Sequence, residues 1–155
     1  MNQVTLTAVA RARGEGEVLN VLGSPYVIKS SAAETADAFL CIEHEVQPGS
    51  GVPPHTHTHE DEVFYVLEGE VTFEGADLTT PLRLGAGGFL FAPRGRLHTF
   101  RNESEVAARM LVLVMPGAGL ERMFREIDAA CRGGGAPSME EIAAITARAG
   151  VLIAS

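Results

Sequence analysis

Cysteine is scarce in this sequence. Cys41 and Cys131, ninety residues apart, are the whole complement, and there is no C-x-x-C pair. That excludes a thiolate zinc site and a thioredoxin-like dithiol, and two free thiols suit a reducing cytoplasm. Long apolar runs are also missing: none approaches the roughly 18 residues that mark a membrane helix. The start, Met1 to Thr7, has no basic segment leading into an apolar stretch, so no secretory signal is expected. Bases are few. Twelve Lys and Arg face 20 Asp and Glu, for a net charge of −8, and Lys29 is the one lysine. A phosphate backbone needs a basic surface, so nucleic acid is not an expected partner.

What is present fits one globular domain. The 155 residues are 46% apolar and 21% charged, near the average for soluble proteins. From Glu17 to Met115 short apolar stretches alternate with Gly and Pro punctuation. They are Val18–Leu22, Tyr26–Ile28, Ala38–Val46, Glu62–Leu67, Glu70–Phe73, Leu82–Leu84, Phe89–Ala92, Leu97–Phe100 and Arg109–Met115. Many short strands at close spacing predict an all-β sandwich or barrel. After Pro116 the period changes. Leu120, Met123, Phe124, Ile127 and Cys131 recur at helical spacing, which predicts a helix over 119–132. Gly133-Gly134-Gly135-Ala136-Pro137 breaks it. Ser138 to Glu141 then reads as a capping box opening a second helix that ends near Gly150, and Val151–Ala154 fits a last short strand.

Chemistry concentrates in His55-Thr56-His57-Thr58-His59-Glu60-Asp61-Glu62, with His98 further on. Imidazole and carboxylate suit first-row divalent metals. The two-residue period of a strand puts His55 and His57 on one face. Glu62 is an odd number of residues beyond His57, so it reaches them only if the polar segment 58–61 reverses the chain. Glu62 then shares a strand face with Phe64 and Val66, and His98 shares one with Phe100. His59 belongs in the turn at the pocket rim. His44 and Cys41 read as structural, and Glu43, Glu45, Glu60 and Asp61 as solvated. Tyr26 is a further candidate for a polar pocket group. Arg94 and Arg96 read as surface residues at the barrel mouth, with steering of an anionic substrate the alternative.

These residues resemble the cupin family. Its first motif, G(X)5HXH(X)3–4E(X)6G, is met by Gly49, His55, His57, Glu62 and Gly69. Its second, G(X)5PXG(X)2H(X)3N, is met by Gly87, Pro93, Gly95, His98 and Asn102, with 17 residues between Gly69 and Gly87. The motifs cover residues 49–102. The wider texture, from Leu22-Gly23-Ser24-Pro25-Tyr26 through Phe64–Glu70 to the helical tail, is similar to quercetin 2,3-dioxygenase-like single cupins. The four motif glycines fit turns of positive φ, Pro93 fits a strand end, and Asn102 fits a polar partner for a turn.

The resemblance implies a double-stranded β-helix, a jelly-roll barrel with a short helical C-terminal tail. Residues 1–16 are then an arm, 17–116 the barrel, and 117–155 an extension packed on the barrel or on a dimer partner. It implies one divalent transition metal per chain (Fe, Mn, Ni, Co, Cu or Zn), held by His55, His57, Glu62 and His98. Such a site needs neutral imidazoles, so metal loss is expected below about pH 6. Phe64, Val66, Phe91, Phe100 and His59 are the expected pocket residues. The function so implied is an oxygenase acting on a flavonoid, phenolic or enediol-like molecule, with Glu62 as ligand or, if displaced, as catalytic base. A metal-dependent isomerase, cyclase or decarboxylase and a non-catalytic ligand-binding cupin are the alternatives. A cytoplasmic homodimer with a small-molecule partner, away from membranes, completes the expectation.

Overall fold

The computed structural model describes residues 5–155. The start of the arm, residues 1–4, lies outside the described residues. Eleven strands and two helices follow in the order β1 (Glu17–Val21), β2 (Ser24–Ser30), β3 (Leu40–Val46), β4 (His55–His57), β5 (Asp61–Glu68), β6 (Glu70–Gly75), β7 (Leu82–Gly85), β8 (Phe89–Ala92), β9 (His98–Arg101), β10 (Ala108–Met115), α1 (Ala118–Arg132), α2 (Met139–Arg148) and β11 (Val151–Ile153). They form two antiparallel sheets, β1-β2-β3-β10-β5-β8 and β11-β4-β9-β6-β7, in a jelly-roll barrel with a helical tail.

The alternation that predicts strands is the alternation that fills the barrel. Along β10, Ala108, Met110, Val112 and Val114 are buried, while Arg109, Leu111, Leu113 and Met115 are half-buried on the outer face. Leu40, Ile42, Phe64, Val66, Val71 and Phe73 meet them inside. The expected positive φ is found at Gly49, Gly69, Gly87 and Gly95. At Gly69 a side chain is also excluded by space, because a Cβ would lie 2.8 Å from the Ala108 Cα. Asn102 is fully buried; it donates to the carbonyls of Val46 and Val106 and accepts from the Ser104 N–H at 2.9 Å.

The end of the arm is tied down from Arg11 onward. Arg11 forms a two-pronged pair with Glu34, and Arg13 pairs with Glu68. Glu43, expected in solvent, is instead buried between Lys29 and Arg109.

The tail packs on the barrel of its own chain. α1 buries Leu120, Met123, Phe124 and Ile127, and Asp128 accepts the Asn20 N–H of β1 at 2.8 Å. Ser138 caps α2 by accepting from the Glu141 N–H. β11 then returns to pair with β4, Val151 opposite His57 and Ile153 opposite His55. No helix among the described residues is long and apolar enough to cross a membrane.

Candidate metal centre

Three strands bring four side chains together. His55 and His57 project from β4, and His98 stands directly opposite His55 on β9 of the same sheet. Between His57 and Asp61 the chain crosses to the other sheet. Glu62 on β5 therefore faces the histidines across the barrel interior, instead of returning beside them in one sheet. The Gly95 N–H donates to the His57 carbonyl at 2.8 Å, which locks the second motif's turn against the first motif's strand.

One ligand atom from each of His55, His57, Glu62 and His98 lies within 4.8 Å of all the others. The His57 and His98 Nε2 atoms stand 3.0 and 2.7 Å from Glu62 Oε2, and the Nε2 atoms of His55 and His57 are 3.1 Å apart. The outer ring nitrogens show why this donor set suits a cation. His55 Nδ1 contacts the Pro53 carbonyl at 2.8 Å, and His98 Nδ1 contacts the Arg96 carbonyl at 3.1 Å. A carbonyl only accepts, so each Nδ1 carries the hydrogen and each Nε2 of a neutral ring keeps its lone pair. Lone pairs and a carboxylate then converge on one point, where positive charge is required. The four residues fit a divalent metal.

Without a metal, protons meet that demand unevenly. Burial and the neighbouring His98 push the His55 pKa down to about 4. Burial also pulls His57 down, but Glu60 and Glu62 outweigh it and raise His57 to about 9. Glu62 is held well below the usual carboxylate range: burial opposes ionisation, and hydrogen bonding to His57 and His98 overcomes it.

Glu60 belongs to this centre, although the sequence reads as placing it in solvent. It is buried, with Oε2 3.7 Å from His57 Nδ1, and its Oε1 would lie 2.7 Å from a Cβ at Gly119. The first turn of α1 thus closes over a carboxylate that lies beside His57, too far for a direct hydrogen bond. The spacing to His57, three residues across a turn, is the one signal that marks it.

A cavity of about 140 Å³ opens onto His55, His57 and Glu62. Phe64 and Phe100 line it, as expected. Three expected pocket residues lie elsewhere. Val66 shares the face of Phe64 but sits deeper, fully buried in the core. Phe91 is 50% exposed on the outside of β8, because Leu90 and Ala92 point inward there. The apolar run Phe89–Ala92 carries no polar residue to mark its outer face, and a one-residue shift exchanges the faces. His59 stays in the turn, exposed against Gly150, and does not line the cavity.

Tyr26 on β2, the further candidate, lines the cavity too. His44 on β3 and, from the tail, Leu120, Phe124, Ile142 and Val151 are walls that were not anticipated. The signal for His44 is its place on the apolar face Leu40, Ile42, Val46 of β3. Cys41 falls on the opposite, half-buried face. Arg94 pairs with Asp61 and Arg96 with Asp77, so neither is a free cation at the mouth.

The Cupin domain model matches residues 42–114. The chain is similar to quercetin 2,3-dioxygenase of Bacillus subtilis, 28% identical over 116 residues, covering 74% of this chain and 33% of that protein. It is similar to polyketide synthase CurC of Streptomyces cyaneus, 34% identical over 104 residues, 67% of this chain and 62% of that one. Among solved structures it resembles the polyketide cyclase RemF of Streptomyces resistomycificus, with a TM-score of 0.60, 25% identity, and 70% and 80% of the two chains covered. The chain therefore spans a third of the length of the first relative and under two thirds of the second.

Proposed function

Because this chain belongs to the cupin family, we propose that it is a metal-dependent oxygenase of a small phenolic or enediol-like molecule. One divalent transition metal (Fe, Mn, Ni, Co, Cu or Zn) would be held by His55, His57, Glu62 and His98. The observation that carries the reading is the convergence of imidazole lone pairs and one carboxylate at the wall of an apolar cavity. A bound metal would supply Lewis acidity and, if redox-active, electron exchange with substrate and O2.

The chain's own residues prepare that chemistry. The Pro53 and Arg96 carbonyls fix the tautomers of His55 and His98. Glu60 lies beside His57. Phe64, Phe100, Leu120 and Phe124 exclude water, which strengthens charge interactions inside. Glu62, buried at the cavity wall, would take a proton from a substrate hydroxyl onto its carboxylate if displaced from the metal. Size narrows the substrate set. A dry cavity of about 150 Å³ takes a benzene-sized molecule, so 140 Å³ favours one-ring substrates over three-ring flavonoids.

A second reading is a non-redox metal-dependent enzyme, such as a cyclase. It is favoured by the likeness to RemF, which covers far more of that protein than the match to the dioxygenase covers of its own. Oxygen consumption separates the two. With metal-loaded protein and a panel of catechols, enediols and flavonols, uptake that vanishes in His55→Ala supports the oxygenase. Turnover without O2 uptake moves the function to the second reading. Ligand binding with no turnover of any kind refutes both and leaves a binding protein.

We propose a homodimer paired through β8, one of the two edge strands of the six-stranded sheet, where Phe89 and Phe91 are exposed. A cytoplasmic location is supported by the unpaired Cys41 and Cys131. A small molecule, not nucleic acid, suits the net charge of −8.

A further inference from the structure

His44 is the buried titratable group that the metal centre leaves unused. It is 3% exposed, and neither ring nitrogen has a hydrogen-bond partner among the described residues. Buried polar atoms without partners are uncommon, and a ring with two of them is more so. Its neighbours explain the deficit. Tyr26 packs on the imidazole with ring centroids 4.3 Å apart, and Phe100 meets it edge-on at 5.8 Å. Ile42 lies on the same strand face, and Met110 stands opposite on β10. These neighbours pack against the ring without pairing its nitrogens.

The ring lines the same cavity as the metal cluster but stands apart from it. From His98 the rings run through Phe64 at 6.0 Å, then Phe100 at 5.7 Å, to His44 at 5.8 Å. Apart from the hydroxyl-bearing Tyr26 and Thr146, the cavity lining has two polar stations. One is the His55, His57, Glu62 cluster. The other is a lone imidazole with a free donor and a free acceptor.

We propose that His44 is the second anchor of the ligand, hydrogen-bonding a hydroxyl or carbonyl of a compact, uncharged, one-ring molecule. This rests on the cavity being the ligand site, and does not require that a metal be bound. Burial holds His44 down to a pKa of about 4, so the ring is neutral at ordinary pH and offers both hydrogen-bond roles. An uncharged partner follows, since a charged group there would lack a counter-ion. The role is specificity: a ring with a polar group at this position is preferred over one without.

The test compares phenol with benzene as probes, by calorimetric titration of wild type, His44→Phe and His55→Ala. Phe keeps the aromatic contacts with Tyr26 and Phe100 and removes both nitrogens. The expected result is about tenfold tighter binding of phenol than of benzene in wild type, the worth of one hydrogen bond. That preference should fall to about one in His44→Phe and persist in His55→Ala, with benzene binding retained in both. Metal content of His44→Phe should equal wild type. A preference kept in His44→Phe but lost in His55→Ala places the phenol oxygen at the metal cluster and overturns the proposal. So does a preference lost in both, an absent preference in wild type, or no binding of either probe. Loss of metal binding by wild type would refute the proposed metal function while leaving the His44 comparison intact.

Discussion

Metal uptake should release about one proton at pH 7. The metal needs the His57 Nε2 lone pair, and in the metal-free protein that ring stays protonated up to about pH 9. At pH 7 the competing proton weakens apparent affinity about 100-fold, and at pH 8 about tenfold. Apparent Kd for Zn or Mn should therefore fall about tenfold from pH 7 to pH 8 and level off above pH 9. His57 supplies that proton and His55 adds none, because it is already neutral, with its pKa near 4. The structure thus moves the competition upward from the pH of about 6 expected for ordinary imidazoles. Calorimetric titration in buffers of different ionisation enthalpy counts the protons. Glu60→Gln removes one of the carboxylates that raise His57 and should lower the count at pH 7. A count near zero in wild type, with affinity flat from pH 7 to 9, would refute the reasoning.

The same proton governs the stability of the metal-free protein. The His57 pKa rises on folding from 6.5 to about 9, so its contribution is fully present below pH 6.5 and lost as pH climbs through 9. Thermal melts of chelator-treated protein should show Tm falling across that window, and a flat Tm would contradict it. Asn102→Ala leaves the Val46 and Val106 carbonyls without their side-chain donor and should cost about 1–3 kcal/mol in urea denaturation; no loss would show that water replaces the amide. Phe91→Asp puts a charge on the exposed edge strand and should convert a dimer into a 16.4 kDa monomer in sedimentation, with metal content unchanged. A dimer that survives the change is not paired through β8.

The residues that bind one another through short spacing were legible in the sequence. His55 and His57 follow from a two-residue period, α1 from the spacing of Leu120, Met123, Phe124 and Ile127, and the start of α2 from Ser138. What was not legible depends on which surface meets which. Periodicity says that Glu62 shares a face with Phe64, but not that β5 lies in the sheet opposite β4. It says that β8 is apolar, but not which of its faces is inward. Glu60 looks like one acid in a polar turn until α1 closes over it, and α1 lies more than fifty residues away in sequence. His44 looks structural because its strand face is apolar. Its missing partners become visible only when every neighbour is in place.

The account stands on a metal held by four named side chains. The most direct test is elemental analysis of protein purified without oxygen or added metal, alongside His55→Ala and Glu62→Ala. The prediction is close to one equivalent of a divalent transition metal per chain in wild type, lost in both variants while their far-ultraviolet circular dichroism keeps the β signature. Wild-type protein with no metal, and no uptake when Fe, Mn, Ni, Co, Cu or Zn is titrated in at pH 8, would contradict it.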